Sequence, residues 1–289
     1  MPARVSTGAI AMRERRRALV LAFPALAWTA VFFAAPFATM AVLSLWQRTD
    51  QGLVATWSLE NYAAFLERPA FVEALVNSLE ITLSVTVLSV ALAYPLAWII
   101  AVEMPERYRR LALALAVIPF WTSYVVRSYA WSLVLARRGV LNEWLGDMGL
   151  PLIDLANSRT ATVIGFTHFF TMLLTLTIYA ALVQLPRTLR LAAADLGAGP
   201  WATFRHVVWP LTLPGVAVGA FLTFALCIGD YVTPQILGGG NDLALPQLVM
   251  LQIGRRADLP MAAALSIVLM LCVTLAYLAM ARWMRTDHR

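Results

Sequence analysis

The sequence predicts an all-α, membrane-embedded fold, and three observations predict it. Apolar residues make up 61% of the 289 residues and charged residues only 13%, whereas soluble domains run near half apolar and a quarter charged. The apolar residues lie in long uninterrupted runs, and several reach the roughly 20 residues a helix needs to cross a hydrocarbon core about 30 Å thick. Within lipid every backbone polar group must bond inside its own segment, so such runs are helices.

Six spans follow from these runs, at 18–46, 76–102, 111–136, 161–184, 214–237 and 261–283. Residues 1–17 form a short segment ahead of a single transmembrane domain, 18–289. The basic start, Arg13 to Arg17, precedes an apolar run from Ala18 to Leu45. That run is far longer than the roughly 7–15 residues of a secretion-signal core, so an uncleaved first span is predicted.

The basic residues set the orientation. All 22 are Arg. With alternating sides, 14 fall on one face (Arg4, Arg13, Arg15, Arg16, Arg17, Arg107, Arg109, Arg110, Arg187, Arg190, Arg205, Arg282, Arg285 and Arg289). Seven fall on the other (Arg48, Arg68, Arg137, Arg138, Arg159, Arg255 and Arg256). The Arg-rich side faces the cytoplasm, so both termini are predicted there. Placement at the ends of apolar runs is topogenic and does not point to nucleic acid, despite a pI near 9.8. The long outward segments 47–75, 137–160 and 238–260 carry Trp57, Tyr62, Phe65, Phe71 and Trp144. Interleaved aromatics argue for short interfacial helices over disorder.

Chemistry of the enzymatic kind has little support. Cys227 and Cys272 lie in apolar runs without CxxC spacing, and His168, His206 and His288 lack ligand spacing. The cysteines are read as small buried hydrophobes and His168 as a packed polar residue. No GxxxxGK[ST] phosphate loop is present, so the chain is not expected to hydrolyse ATP itself or to bind a cofactor.

The most ordered pattern is the loop 185–213. Pro186 fits the first turn of a helix and Gly197 the position past its end. Pro200 opens a second short helix, predicted to close at Pro210 and Pro214. Ala192 to Ala194 form a small-residue row that lets another surface approach closely. Asp195 sits in the last turn, where the helix dipole disfavours an anion, and Leu191 and Ala192 offer it no internal cation. An external basic partner would suit it; a solvated surface carboxylate is the plainer alternative.

On these residues the chain resembles the permease subunits of ABC importers. Their loop before the penultimate span carries Glu-Ala-Ala-x3-Gly-x9-Ile-x-Leu-Pro. Here Leu191, Ala192, Ala193, Gly197, Val207, Trp209 and Pro210 stand at those positions with every spacing intact. Leu191 in place of Glu and Trp209 in place of Leu are the departures. The resemblance runs from Glu60-Asn61-Tyr62 to the last span. The stretch Pro119 to Trp131 and the stretch Gly229 to Gly239 look like the third- and fifth-span signatures of the spermidine/putrescine-like branch, which also includes opine and other small-solute importers.

The resemblance implies a type I ABC-importer permease fold in a bacterial inner membrane and alternating-access transport of a small solute, foremost a polyamine. It also implies partners: two copies of a soluble ATPase that hold ATP and Mg, a second and different permease chain, and an external solute-binding protein. The coupling loop 185–213 would enter a cleft of the ATPase, with Ala192, Ala193, Asp195, Gly197, Ala198, Phe204 and Pro210 as the coupling residues. An opine, a phosphonate or another small amine or zwitterion is the alternative cargo. An ion-gradient-driven secondary transporter is the alternative machine, disfavoured by the coupling pattern.

Intramembrane charge points to the solute path. An ionised group at the bilayer centre costs roughly 2.5–3.5 kcal/mol, so it faces protein or water. Arg127 is the one basic residue well inside a span; Glu80 and Asp230 are the nearby carboxylates. Trp121, Tyr124, Tyr129 and Tyr231 are amphipathic aromatics close by, able to pack or to bind a cation on a ring face. Arg127 is expected either to pair with Glu80 or Asp230, or to contact solute. If neither carboxylate neutralises it, an anionic or zwitterionic solute gains ground over a polycation.

Overall fold

The structure is a computed structural model that describes residues 21–50, 52–240 and 242–284. The expected segment 1–17, the start of the first span and the tail 285–289 lie outside the described residues. The helices are α1 (Leu21–Leu43), α2 (Glu60–Glu67), α3 (Pro69–Glu103) and α4 (Glu106–Trp121), α5 (Tyr124–Leu135) and α6 (Val140–Asp147). They continue with α7 (Arg159–Val183), α8 (Arg187–Asp195), α9 (Pro200–Gly229), α10 (Val232–Leu237), α11 (Leu245–Leu251) and α12 (Leu259–Met284). The fold is helical apart from one antiparallel hairpin, β1 (Gln47–Thr49) and β2 (Gly52–Val54), with Arg48 opposite Leu53.

Five helices (α1, α3, α7, α9 and α12) are each long and apolar enough to cross a membrane. The sixth span is a broken one: α4 and the following α5–α6 segment meet at 91°. This corrects the expectation of a continuous helix over 111–136. Pro119 has no N–H to give the helical ladder, although Ile118 before it keeps helical angles (φ −48°, ψ −45°). The helix tightens to a 3₁₀ turn over Ile118–Trp121, then Thr122 and Ser123 take extended backbone angles. The Pro119 carbonyl, freed from the helical ladder, accepts from Thr122 Oγ1 at 2.7 Å and from Arg127 at 2.9 Å.

A second correction concerns the fifth span, expected over 214–237. It starts at Pro200 and runs 30 residues to Gly229. Pro210 and Pro214 do not close a separate short helix. A π turn over Phe204–Val208 immediately precedes Pro210, and such a turn absorbs the register change that a proline's missing N–H imposes. At the far end the break comes at Asp230, earlier than Pro234, which sits inside α10.

Apolar surface gives little net drive between helices in lipid, so close packing and interhelical hydrogen bonds hold the bundle. The centre is α3, α7 and α9. Gly215 and Gly219 of α9 face Ala181 and Thr177 of α7 so closely that a Cβ at Gly215 would lie 2.5 Å from the Ala181 Cβ. Towards one end, Ala93, Tyr94, Ala97 and Ala101 of α3 pack with Leu174, Ile178 and Leu182 of α7 and with Val208 and Val216 of α9. The Tyr94 and Thr212 hydroxyls bond at 3.0 Å across this contact, worth about 0.6–2 kcal/mol in a membrane. Towards the other end, Phe65 and Phe71 pack with Leu245, Leu248, Met261 and Leu265.

The long connecting segments 47–75 and 137–160 are ordered by buried amides. Asn61 donates to the Ser44 and Trp46 carbonyls at 2.8 and 2.7 Å, which fixes α2 against the hairpin's start. Asn142 of α6 exchanges two bonds with the Ile153 backbone at 2.8 and 2.9 Å. The expected short helices are α2 and α6; Phe71 belongs to α3, which begins at Pro69, and Trp57 lies in the connecting segment.

Candidate functional site

Most of the residues singled out from the sequence fall in two regions, the α8–α9 turn and a cavity at the opposite end of α9.

Helix α8 stands on the surface with none of its residues buried. Its exit is a Schellman turn: the Gly197 N–H bonds to the Ala194 carbonyl at 2.9 Å and the Ala198 N–H to the Ala193 carbonyl at 3.0 Å. Gly197 supplies the left-handed conformation this closure needs, with φ +82°. Pro186 is the residue just ahead of the first turn, and Pro200 is the first residue of α9. The turn exposes large apolar side chains: Leu196 at 89%, Trp201 at 70% and Leu191 at 63%. Ala192 and Asp195 are exposed, while Ala193 and Ala198 are half-buried. Among the described residues Asp195 takes part in no ion pair.

Phe204 turns inward. It meets Tyr94 edge-on at 5.6 Å and Trp98 at 6.1 Å, and stacks on Trp201 at 5.5 Å. Tyr94 also meets Trp209 at 5.4 Å. Aromatic pairs of this geometry contribute about 0.5–1.5 kcal/mol each, so this cluster ties the exposed turn to the C-terminal part of α3. Pro210 follows the cluster and is exposed. Sequence reasoning missed Leu196, Trp201, Tyr94 and Trp98. Aromatics at the end of one apolar run and in a loop more than 100 residues later give no pairwise signal on their own.

The cavity has a volume of about 240 Å³ and lies between α5, α7 and the end of α9. Tyr124, Arg127, Ser128, Trp131, Phe166, Phe169, Phe170, Asp230 and Thr233 are among its walls. Arg127 is 9% exposed, and its guanidinium lies 4.5 Å over the Phe169 ring. Phe120 stacks on that ring at 5.2 Å. Trp131 Nε1 donates to His168 Nδ1 at 3.2 Å, holding the indole at the cavity's edge.

The expected ion pair with Arg127 does not form. Glu80 pairs with Arg159 instead, the one ion pair among the described residues. Asp230 lines the cavity but its oxygens are engaged: Oδ1 accepts from Val232 N at 2.8 Å and Oδ2 from Thr233 Oγ1 at 2.7 Å. The carboxylate thus closes an Asx turn just ahead of α10, one residue before the helix's N-cap, Tyr231. Of the seven residues expected along a solute path, the structure brings Tyr124, Arg127 and Asp230 together in this cavity. Trp121 is 86% exposed, Tyr129 59% and Tyr231 39%, none of them on its wall. Among the described residues no cluster of His, Cys, Asp or Glu could hold a metal ion.

Comparison with known proteins agrees with this architecture. Residues 93–286 match the family described as binding-protein-dependent transport system inner membrane component. The chain is 32% identical over 255 residues to the spermidine/putrescine transport system permease protein PotB of Salmonella typhimurium, covering 87% of this chain and 88% of that one. It is 35% identical over 230 residues to the inner membrane ABC transporter permease protein YdcU of Escherichia coli K12, covering 75% and 73%. A chain of a bacterial alginate ABC transporter, crystallised with its alginate-bound periplasmic protein, superposes with a TM-score of 0.77 at 16% identity, covering 95% of this chain and 97% of that one.

Proposed function

This chain belongs to the family of binding-protein-dependent transport system inner membrane components, the permease subunits of ABC importers, and from that premise we propose how it couples a separate ATPase to solute passage and which solute it passes. One observation carries the coupling reading. The helix that begins at the exposed turn is the helix that ends at the cavity: α9 runs unbroken from Pro200 beside Gly197–Gly199 to Gly229 beside Asp230. At 1.5 Å per residue it spans roughly 45 Å.

A soluble ATPase docks on the turn through Leu191, Leu196 and Trp201, apolar groups that water leaves uncovered, with Asp195 free for a basic contact. Closure of the ATPase moves α8, and the Phe204 cluster passes that movement to α3 and along α9 to the cavity wall. The turn faces the cytoplasm, as do both termini, in keeping with the arginine distribution. ATP and Mg reside on the ATPase, two copies of which act with this chain and a second, different permease. An external binding protein delivers cargo to the segments around α2, α6 and α11.

The similarity to PotB supports a polyamine as cargo. A ring face such as Phe169 or Tyr124 suits a protonated amine. The unpaired Arg127 favours a second reading, an opine or other zwitterion whose carboxylate would meet the guanidinium. Uptake of labelled spermidine by the assembled importer in proteoliposomes, with an opine and a phosphonate as competitors, separates the two. Spermidine uptake unaffected by either competitor supports the first reading; opine uptake with none of spermidine replaces it with the second.

A further inference from the structure

Away from the cavity and the docking turn, the inner ends of α3 and α7 enclose a pocket of about 80 Å³ with the first turn of α8. Its charged lining consists of three arginines, Arg109, Arg187 and Arg190, beside Trp98. They come from two elements, Arg109 from α4 and Arg187 and Arg190 from the start of α8, so the fold gathers charges that the sequence keeps up to 81 residues apart. Arg109 is anchored, its Nε donating to the Ile100 carbonyl at 3.1 Å and its Nη2 to the Met104 carbonyl at 3.3 Å. Arg190 lies 5.9 Å over the Trp98 ring. Among the described residues none of the three arginines is in an ion pair. Glu103 accepts from Trp98 Nε1 at 3.0 Å, and none of Glu103, Glu106 and Asp195, the carboxylates near these arginines in the chain, lines the pocket.

Three guanidinium groups facing one small space repel each other unless an anion joins them. A planar fork of N–H donors matches the oxygens of a phosphate. The volume is a few times the roughly 30 Å³ share of one water molecule, room for a tetrahedral oxyanion and not for a whole solute. Its depth matches too: α3, α4 and α7 all begin or end here, at the level of lipid head groups, where basic pockets between spans hold phospholipid phosphates. Val183 and Leu185 line the same pocket, and Val183 is 49% exposed, an apolar flank for an acyl chain.

We propose that the pocket closed by Arg109, Arg187 and Arg190 is a phosphate-binding site, filled by the head group of an anionic phospholipid or by free phosphate. The bound phosphate ties the first turn of α8 to the α3–α4 junction, so the anion bears on the position of the docking helix. The site stands on the chain's own geometry, whether or not the docking reading holds.

The test reads lipid on the permease chain and ATPase association separately. The assembled importer is placed in phosphatidylcholine nanodiscs with and without phosphatidylglycerol, and lipid retained on the permease is measured by native mass spectrometry. Wild type should retain phosphatidylglycerol. Arg187→Gln with Arg190→Gln should retain it roughly 30-fold less, from about 1 kcal/mol per arginine at an anionic surface. The double Arg→Lys variant, which keeps the charge, should retain most of it and guards against misfolding. Arginine-dependent binding of radiolabelled inorganic phosphate in phosphatidylcholine alone, without phosphatidylglycerol retention, would assign the site to free phosphate. Equal lipid retention in wild type and the Gln variant, with no arginine-dependent phosphate binding, overturns the proposal. So does loss of the ATPase from the Gln variant with lipid retention unchanged, which makes these arginines contacts for an ATPase carboxylate.

Discussion

Gly197 holds a backbone angle, φ +82°, that costs a residue with a side chain about 1–2 kcal/mol. A Cβ there would meet nothing within 4 Å, so the cost of Gly197→Ala is conformational, not steric. That substitution should weaken recovery of the ATPase with the purified permease, and Gly197→Asp, which adds a charge to the exposed turn, should abolish it. Membrane insertion should be unaffected in both; full ATPase recovery with Gly197→Asp would remove the turn from docking. Glu80 makes the opposite case. Its partner Arg159 is 79 residues away and the two side chains are 54% and 31% exposed, so the pair contributes at most about 1 kcal/mol. Glu80→Gln should leave uptake by the assembled importer unchanged, and a loss of uptake would return Glu80 to the solute path. The sequence marks Glu80 as an unusual charge, yet only the fold supplies the partner that explains it.

At the scale of elements, prolines and carboxylates decide where helices stop. The same residue type acts oppositely in two places: Pro119 breaks the third span, while Pro210 and Pro214 lie within α9. The difference is how the backbone absorbs the missing N–H. The π turn over Phe204–Val208 takes up the register change ahead of Pro210, whereas around Pro119 the helix tightens to a 3₁₀ turn and then extends at Thr122, leaving the Pro119 carbonyl to the Thr122 and Arg127 side chains. Asp230 similarly fixes the break between α9 and α10 through two accepted hydrogen bonds. Asp230→Ala should destabilise this junction by about 1–3 kcal/mol, the range for losing hydrogen bonds to a charged group, and Asp230→Asn by less. Thermal unfolding of the purified permease measures both; an Asp230→Ala protein as stable as wild type would mean the carboxylate does not hold the break.

For the whole molecule, the described bundle leaves much of its apolar surface uncovered. The 18-residue core of α1 buries none of its residues and that of α12 only 28%, as suits helices that face lipid or a second permease chain. Orientation belongs at this scale because arginine placement is a property of all the connecting segments together. The proposed orientation, with both termini cytoplasmic, predicts that green fluorescent protein fused to the C-terminus fluoresces and that alkaline phosphatase fused there is inactive. Alkaline phosphatase joined after Gly240 should instead be active. The reverse pattern would invert the topology and place the α8–α9 turn outside.

The sequence by itself determined a membrane-spanning helical chain, its family, the Gly197 turn and the arginine asymmetry. Each of these is written locally: apolar run length, a glycine at a helix exit, and residue spacing in one loop. Only the tertiary structure decided that the third span is broken, that α9 joins the α8–α9 turn to the cavity, and that Arg127 has no carboxylate partner among the described residues. It also gathered Arg109, Arg187 and Arg190 into one pocket. Those outcomes depend on which side chains reach a freed carbonyl or a distant charge, and that is settled by packing between helices far apart in the chain.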